Sequence, residues 1–200
     1  MTTVVLATRN AGKLREFQAL IADDDALAAI QVVNVSEFPG VQDVIESGVT
    51  FEQNAALKAC AVCEATGLPA IADDSGLCVD VLGGSPGVFS ARWAGVHGAD
   101  QDNIDLLLAQ TGDVDIPMAA QFVCCVVLAL PGGEVHTRRG ELHGTITREQ
   151  RGADGFGYDP IFELPDGRTL AELPAAEKNQ ISHRAIAMRA MRVEMTDVLT

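Results

Sequence analysis

The sequence has 200 residues, of which 48% are hydrophobic and only 4% aromatic, so it can bury one large, mainly aliphatic core. The formal net charge of −14 disfavours nucleic acid and anionic membranes as partners, because like charges repel. No apolar stretch is long enough to span a bilayer, and the N-terminal MTTVVLATRNAGK lacks a secretory signal, so we expect a cytoplasmic protein.

The apolar pattern predicts strands and helices that alternate through the first half of the chain. Strands are predicted at 3–7, 30–35 and 70–73, and helices at about 14–21, 51–66 and 103–110. A long β-type run at 119–130 then leads through the turn signal PGGE into a strand at 135–141, which predicts a hairpin. A final helix is predicted at 183–199. This order indicates a mixed α/β fold.

Five cysteines, an odd number, are typical of reduced thiols in a cytosolic protein. Cys60 and Cys63 form a C-x-x-C, which raises the alternative of zinc or redox chemistry. They lie within a predicted helix, however, and no second chelating pair follows at zinc spacing. The favoured interpretation of all five cysteines is therefore that of small buried hydrophobes.

Two adjacent carboxylates, Asp73 and Asp74, end an apolar run and precede Ser75 and Gly76. One interpretation is a turn, because Asp, Ser and Gly all favour turns. The other is a metal-binding acid pair at the carboxyl end of a strand, where open α/β sheets place their ligands. This stretch alone favours the turn, and other segments have to decide between the two.

The segment TRNAGK connects the first predicted strand to the first predicted helix. A helix N-terminus offers free N–H groups and partial positive charge to a phosphate, and Lys13 would add a full charge. The spacing is not that of a Walker loop. The competing interpretation is that Asn10 only caps the helix and that Lys13 is solvated.

Three further segments carry candidate binding groups. In TFEQNAALKA, Asn54 and Lys58 share one helix face, which either projects a donor and a cation into a cleft or is solvated. Glu46 lies just upstream and could add a third carboxylate to the acid pair. In GADGFGYDPIF, two glycines flank Phe156, whose ring either stacks on a planar ligand or enters the core. In EKNQISHRAIAMRAM, cationic side chains gather before or at a helix start, where they oppose the helix dipole and so suggest function. The competing interpretation is that Ser182 caps the helix.

Six segments together resemble the inosine triphosphate pyrophosphatase family. They are TRNAGK, ESGVTFEQNAALKA, IADDSGL, GVFSARWAG, GFGYDPIF and EK…SHRA, which occur in the family's order over nearly the whole chain. The resemblance implies a single domain over residues 1–200, with a mixed elongated central sheet, flanking helices and two lobes around a nucleotide cleft. It also implies Mg²⁺-dependent hydrolysis of non-standard purine nucleoside triphosphates (ITP, dITP and XTP) to the monophosphate and pyrophosphate, usually by a homodimer.

The resemblance also implies roles for individual residues. Asp74 would be the proton acceptor and a metal ligand, and the second ligand would be Glu46 or, as second choice, Asp73. Arg9, where many members have a small residue, would contact phosphate or face solvent. The implied substrate-binding residues are Thr8, Arg9, Asn10, Ala11, Gly12, Lys13, Ser75, Phe156, Gly157, Tyr158, Asp159, Lys178, His183 and Arg184.

Two rival functions remain open, in addition to zinc or redox chemistry at Cys60 and Cys63. The related Maf-type nucleotide pyrophosphatases prefer other bases, and the segments SHR and GFGYDP argue against them. A nucleotide sensor would keep the binding cleft without hydrolysis, but it has no need of a water-activating acid such as Asp74. We therefore expect a hydrolase in which Asp74 activates water and Lys13 stabilises the leaving pyrophosphate.

Overall fold

A computed structural model describes residues 2–22, 27–115 and 117–199 of the chain. Five helices are found in this part: α1 Ala11–Ala22, α2 Phe51–Thr66, α3 Asp100–Gln110, α4 Ala175–Ile181 and α5 His183–Leu199. The strands are β1 Thr2–Leu6, β2 Ile30–Asn34, β3 Ala70–Val79, β4 Met118–Ala129, β5 Val135–Ile146 and β6 Phe162–Glu163.

The six described strands form one mixed sheet in the order β2-β1-β3-β4-β5-β6. β1 runs parallel to β2 and β3, whereas β6 runs antiparallel to β5. The connection from β4 to β5 is tight, since the Leu130 N–H donates to the Glu134 carbonyl at 2.9 Å. The predicted mixed α/β fold, with helices flanking a central sheet, is confirmed.

The chain divides into two compact units. Unit 1 contains Met1–Asp74, Cys124–Gly140 and Arg184–Thr200, and unit 2 contains Ser75–Val123 and Glu141–His183. In unit 2 the core surrounds Phe122 and Phe162, whose ring centroids lie 4.8 Å apart.

Unit 1 has two apolar clusters, and each takes alternate residues of the strands. Val4 of β1 and Ile71 of β3 belong to the cluster that includes side chains of α1 and α5. Val5 of β1 and Ala70 and Ala72 of β3 belong to the cluster that includes side chains of α2. Because successive strand residues point to opposite faces, α1 and α5 cover one face of the sheet and α2 covers the other.

The predicted helix at 51–66 has the bounds of α2, and local capping explains them. The Thr50 hydroxyl accepts a hydrogen bond from the Gln53 N–H at 3.2 Å, which satisfies one open donor at the N-terminus. Gly67 ends the helix in the left-handed conformation with φ 69°, which glycine adopts without steric cost. No described helix combines the length and apolar character that crossing a membrane requires.

The prediction of a helix at 183–199 is confirmed by α5, whereas the prediction of a strand at 70–73 is too short. β3 continues to Val79, so the turn interpretation of Asp73 and Asp74 is wrong, and the pair lies inside the strand rather than at its carboxyl end. The strand pairs with β1 at Ala70 and Ile71 and has β4 as its other neighbour in the sheet, and its place in the sheet outweighs the local turn preference. Lys178 lies in the separate helix α4, before α5 begins at His183.

The prediction of five buried cysteines is wrong for Cys60, which is exposed, and Cys78 is only half-buried. Cys63, Cys124 and Cys125 are buried as expected, and none of the five cysteines forms a disulfide. The buried side of α2 is formed by Ala55, Ala59, Val62 and Cys63. Cys60 follows Ala59 directly and is therefore turned about 100° around the helix axis, away from the centre of that side.

Candidate active site

The side chains of Asp73 and Asp74 have different partners in unit 1, although the residues are neighbours on β3. Asp73 contacts α1 and α5 through Lys13 and Arg184. Asp74 contacts α2 through Asn54 and Lys58. The alternation of side chains along a strand explains this separation, since α1 and α5 cover one face and α2 the other. The two carboxylates therefore cannot act as one chelating pair.

Asp73 is 8% exposed and serves as a shared counter-ion. Its Oδ2 lies 2.9 Å from Lys13 Nζ and 3.2 Å from Arg184 Nε. Burial by itself would raise the pKa of this carboxyl, but the positive charges of Lys13 and Arg184 outweigh it and hold the pKa well below its usual value. Asp73 thus brings together two of the predicted substrate-binding residues.

Asp74 lies in a different environment with one cation and one more carboxylate. Its Oδ2 accepts a hydrogen bond from Asn54 Nδ2 at 3.0 Å, and its Oδ1 lies 3.9 Å from Lys58 Nζ. Lys58 Nζ also donates to Glu46 Oε1 at 2.6 Å, so Glu46 and Asp74 share this ammonium group. Burial, with the negative charge of Glu46 as a smaller cause, raises the pKa of Asp74 despite the opposing charge of Lys58.

These groups fit a hard divalent cation such as Mg²⁺. No group of three or more metal-ligating side chains occurs among the described residues, and Mg²⁺ usually takes only one or two carboxylates beside phosphates and waters. Glu46 and Asp74 both contact Lys58, and a cation would favour the ionised form of Asp74, whose pKa is raised by burial and, to a smaller extent, by the charge of Glu46. Glu46 fits better than Asp73 as the second ligand, because Asp73 is bound to Lys13 and Arg184.

The TRNAGK segment forms a capped helix start in unit 1. Thr8 Oγ1 accepts from the Asn10 N–H at 3.2 Å, and Asn10 Oδ1 accepts from the Lys13 N–H at 3.2 Å. Asn10 therefore caps α1, whose first two residues are Ala11 and Gly12. The Lys13 side chain is not merely solvated, since it reaches Asp73.

Arg9 has partners of its own outside the helix start. Its Nε donates to Asp43 Oδ1 at 2.6 Å, and its Nη2 donates to the Val41 carbonyl at 3.0 Å. Both partners lie in the segment 39–50, which forms neither helix nor strand. Arg9 is therefore not simply solvated, because it ties the helix start to that segment.

In unit 2 the loop around Phe156 presents an aromatic ring to solvent. Phe156 is 57% exposed, and Lys178 Nζ lies 4.8 Å from the ring centroid. Asp159 is buried, forms an ion pair with Lys178 and accepts from the Phe156 N–H at 2.8 Å. The core interpretation of Phe156 is therefore wrong, and the exposed ring can stack on a planar ligand.

The remaining predicted residues of unit 2 are less accessible. Tyr158 is 3% exposed, and its hydroxyl donates to the Ser90 carbonyl at 2.9 Å, so its side chain serves the core. The His183 ring, also buried, stacks on Phe122 with centroids 4.9 Å apart. Ser75 is half-buried on β3 as the first residue of unit 2.

The resemblance assigned no role to three residues that contact the predicted site residues, namely Asp100, Asn54 and Lys58. The Gly157 N–H donates to Asp100 Oδ2 at 2.7 Å, and no local signal could reveal a bond across 57 residues of sequence. Asn54 and Lys58, for which the sequence left a cleft and a solvated face open, both contact Asp74. Their spacing of four residues on α2 was the available signal.

Comparison with known proteins shows that the chain belongs to the Ham1 family, whose model matches residues 4–194. A dITP/XTP pyrophosphatase of Streptomyces coelicolor is 56% identical over 194 residues, which cover 96% of each chain. Another from Geobacter sulfurreducens is 46% identical, again over 96% of each chain. Among solved structures, a HAM1 protein from Coxiella burnetii superposes with a TM-score of 0.90 at 40% identity, covering 99% of this chain and 100% of the other. The predicted resemblance is confirmed.

Proposed function

We propose that the chain hydrolyses non-standard purine nucleoside triphosphates, namely ITP, dITP and XTP, to the nucleoside monophosphate and pyrophosphate. The observation that carries the proposal is the group formed by Asp74, Glu46 and Lys58, an acid with a raised pKa beside a second carboxylate and a cation. Family membership supports it, because relatives that match nearly end to end are named dITP/XTP pyrophosphatases.

Mg²⁺ is the proposed cofactor, and Asp74 and Glu46 would hold it. When bound, the cation supplies charge neutralisation at the phosphate oxygens. Asp74 accepts a proton from the attacking water, for which its raised pKa is suited, because a general base works best when its pKa approaches the working pH. Lys58, between the two carboxylates, limits their mutual repulsion and keeps Asp74 ionised.

Binding of the triphosphate is assigned to the start of α1. The N–H groups of the first turn and the Lys13 ammonium attract anionic oxygens, and Lys13 stabilises the charge that develops on the leaving pyrophosphate. Asp73 orients Lys13 by its ion pair. Ser75 would contact the substrate, and the other proposed phosphate-binding residues are Thr8, Arg9, Asn10, Ala11 and Gly12.

Recognition of the base is assigned to residues around the exposed Phe156. Its ring would stack on the purine, while the backbone of Gly157 and Tyr158 and the Asp159–Lys178 pair line the base and sugar site. Hypoxanthine and xanthine carry an acceptor at C6 where adenine carries a donor. Donors from His183 and Arg184 would pair with that acceptor and be left unpaired by adenine, a mismatch that discriminates strongly.

The wider setting follows from the same proposal. Residues 1–200 would act as a single domain, and the enzyme would work as a cytoplasmic homodimer. Its partner is the nucleotide substrate rather than nucleic acid or a membrane, in keeping with the formal charge of −14.

Pyrophosphate release from ITP, dITP, XTP, ATP and GTP, measured with and without Mg²⁺, tests the proposal. We expect rapid release from the first three nucleotides in the presence of Mg²⁺ and little release from ATP or GTP. Absence of release from all five would contradict the proposal and would favour a nucleotide sensor.

A further inference from the structure

Asn54 is a buried amide between two parts of the candidate active site in unit 1. It is 0% exposed and lies in the first turn of α2. Its Nδ2 donates to Asp74 Oδ2 at 3.0 Å, and its Oδ1 accepts from the Gly48 N–H at 2.8 Å. One side chain thus joins the proposed general base to the segment that carries Glu46.

The Asp74 carboxylate and the Gly48 N–H together fix the orientation of the Asn54 amide. A carboxylate at one end requires the NH₂ group, and a backbone N–H at the other end requires the oxygen. Rotation of the amide by 180° would place oxygen against oxygen and N–H against N–H. A buried polar group is costly to leave unpaired, so this arrangement resists rearrangement.

The segment beside Asn54 has little other support from regular structure. Residues 39–50 form neither helix nor strand, and Ile45 and Val49 within it are 84% and 78% exposed. Gly48 is tightly fitted there, because a Cβ at this position would lie 2.7 Å from Asn54 Oδ1. Such a distance forces a shift, so only glycine allows the segment to approach Asn54 this closely.

We infer that Asn54 is a positioning residue, which holds the carboxylate of Asp74 in a set orientation and keeps the Glu46 segment beside it. The inference rests on the proposed function, since it concerns the geometry of the proposed base and of the second carboxylate. Asn54 acts through Asp74 and Gly48 rather than on the nucleotide. Lys58, one turn further along α2, depends on the same geometry because it contacts both Glu46 and Asp74.

Gln53 provides a matched control on the same helix turn. Its Oε1 accepts from the Val49 N–H at 2.8 Å, so it supports the same segment as Asn54. Its side chain is on the exposed side of the helix and bonds to the Val49 N–H rather than to Asp74. The bond to Thr50 Oγ1 comes from the Gln53 backbone N–H, which Gln53→Ala keeps. Comparison of Asn54→Ala with Gln53→Ala therefore separates the hold on Asp74 from general support of the segment.

The kinetic test measures kcat, KM and the Mg²⁺ concentration for half-maximal rate with dITP. We expect Asn54→Ala to lower kcat by about 10- to 100-fold and to raise the Mg²⁺ requirement, with a much smaller change in KM. Gln53→Ala should keep kcat close to that of the wild type. A kcat for Asn54→Ala equal to that of Gln53→Ala would overturn the inference while leaving the proposed function intact.

Gly48→Ala tests the same contact from the other side and alters no buried core residue. Its new Cβ displaces the segment from Asn54, so we expect kcat to fall in the same direction as in Asn54→Ala. This variant decides the question if Asn54→Ala does not fold. Wild-type kcat in folded Gly48→Ala would contradict the proposed hold on the Glu46 segment.

Urea unfolding supplies a readout that is independent of activity. If Asn54 holds Asp74, the drop in the urea midpoint caused by Asn54→Ala should be smaller in an Asp74→Ala background than in the wild type. Equal drops in both backgrounds would overturn the inference even if the kinetics agreed with it. If the wild type hydrolysed no nucleotide, the proposed function would fail, and this cycle alone would decide whether Asn54 positions Asp74.

Discussion

Asp73 and Asp74 are adjacent in the chain, yet their carboxylates serve opposite faces of β3. Asp73 pairs with Lys13 and Arg184, and Asp74 is bound by Asn54 and lies near Lys58. The two carboxylates therefore have different roles. One carboxylate organises two cations, and the other remains in a setting where burial raises its pKa, as a general base requires.

Asp74→Asn tests the proposed general base with little change in shape. We expect kcat for dITP to fall at least about 100-fold, because the amide cannot accept the proton from water. Circular dichroism and the thermal midpoint should show a folded protein. Substantial residual turnover in the folded variant would contradict the assignment of Asp74.

Asp73→Asn tests the shared counter-ion through stability. The substitution leaves the charges of Lys13 and Arg184 without their carboxylate in a buried setting, so we expect a loss of about 3–5 kcal/mol in the free energy of unfolding. Urea denaturation at neutral pH measures it. Asp166→Asn, which removes an exposed partner of Arg168, is the control and should cost much less. A similar small loss in both variants would refute the counter-ion role.

Glu52 predicts a pH dependence of stability. Burial opposes ionisation, but hydrogen bonds from Cys125 and Arg139 outweigh it and lower the pKa from 4.5 to about 2. Because the folded-state pKa is the lower one, the stabilisation is complete above the unfolded value and is lost as the pH falls from 4.5 towards about 2. Glu52→Gln should therefore be less stable than the wild type at pH 7, and this difference should shrink at acidic pH.

Urea unfolding of both proteins at about pH 7 and at about pH 3.5, on either side of the unfolded-state value, measures the effect of Glu52. Glu64→Gln, an exposed site on the same helix, controls for the loss of one negative charge. A difference between wild type and Glu52→Gln that stayed constant, or grew, on acidification would show that Glu52 does not act through its ionisation.

Phe156→Ala tests the proposed stacking surface. We expect KM for dITP to rise by about 5- to 150-fold, since stacking of a base on an aromatic ring contributes about 1–3 kcal/mol. The thermal midpoint should barely change, because the ring is 57% exposed. Phe89→Ala is a matched control, as Phe89 is 54% exposed and also lies beside a cation, Arg92. Equal KM values for the two variants would remove Phe156 from base binding.

Thiol labelling tests the corrected view of the cysteines. Cys60 is exposed, whereas burial raises the pKa of Cys63 and raises that of Cys124 to about 12. Iodoacetamide at about pH 8 should therefore modify Cys60 first in the native protein, and Cys60→Ser should remove this fast phase. Fast modification that persists in Cys60→Ser would contradict the burial pattern.

Much of the fold was predictable because it depends on neighbours in sequence. Thr50 and Gly67 cap the two ends of α2, and the sequence alone indicates the helix between them. The hairpin of β4 and β5 follows from its turn residues. The six motifs likewise indicated the inosine triphosphate pyrophosphatase family, since each motif is a local run of residues, and the match to the Ham1 family confirms the resemblance.

The tertiary structure decided the partners of each side chain. A run of Asp, Ser and Gly favours a turn locally, whereas its place inside β3 keeps Asp73 to Gly76 extended. That extension turns Asp73 towards Lys13 and Asp74 towards Asn54, residues 60 and 20 positions away in sequence. Sequence alone indicated which chemical groups the site holds, and packing across the sheet assigned them to its two faces.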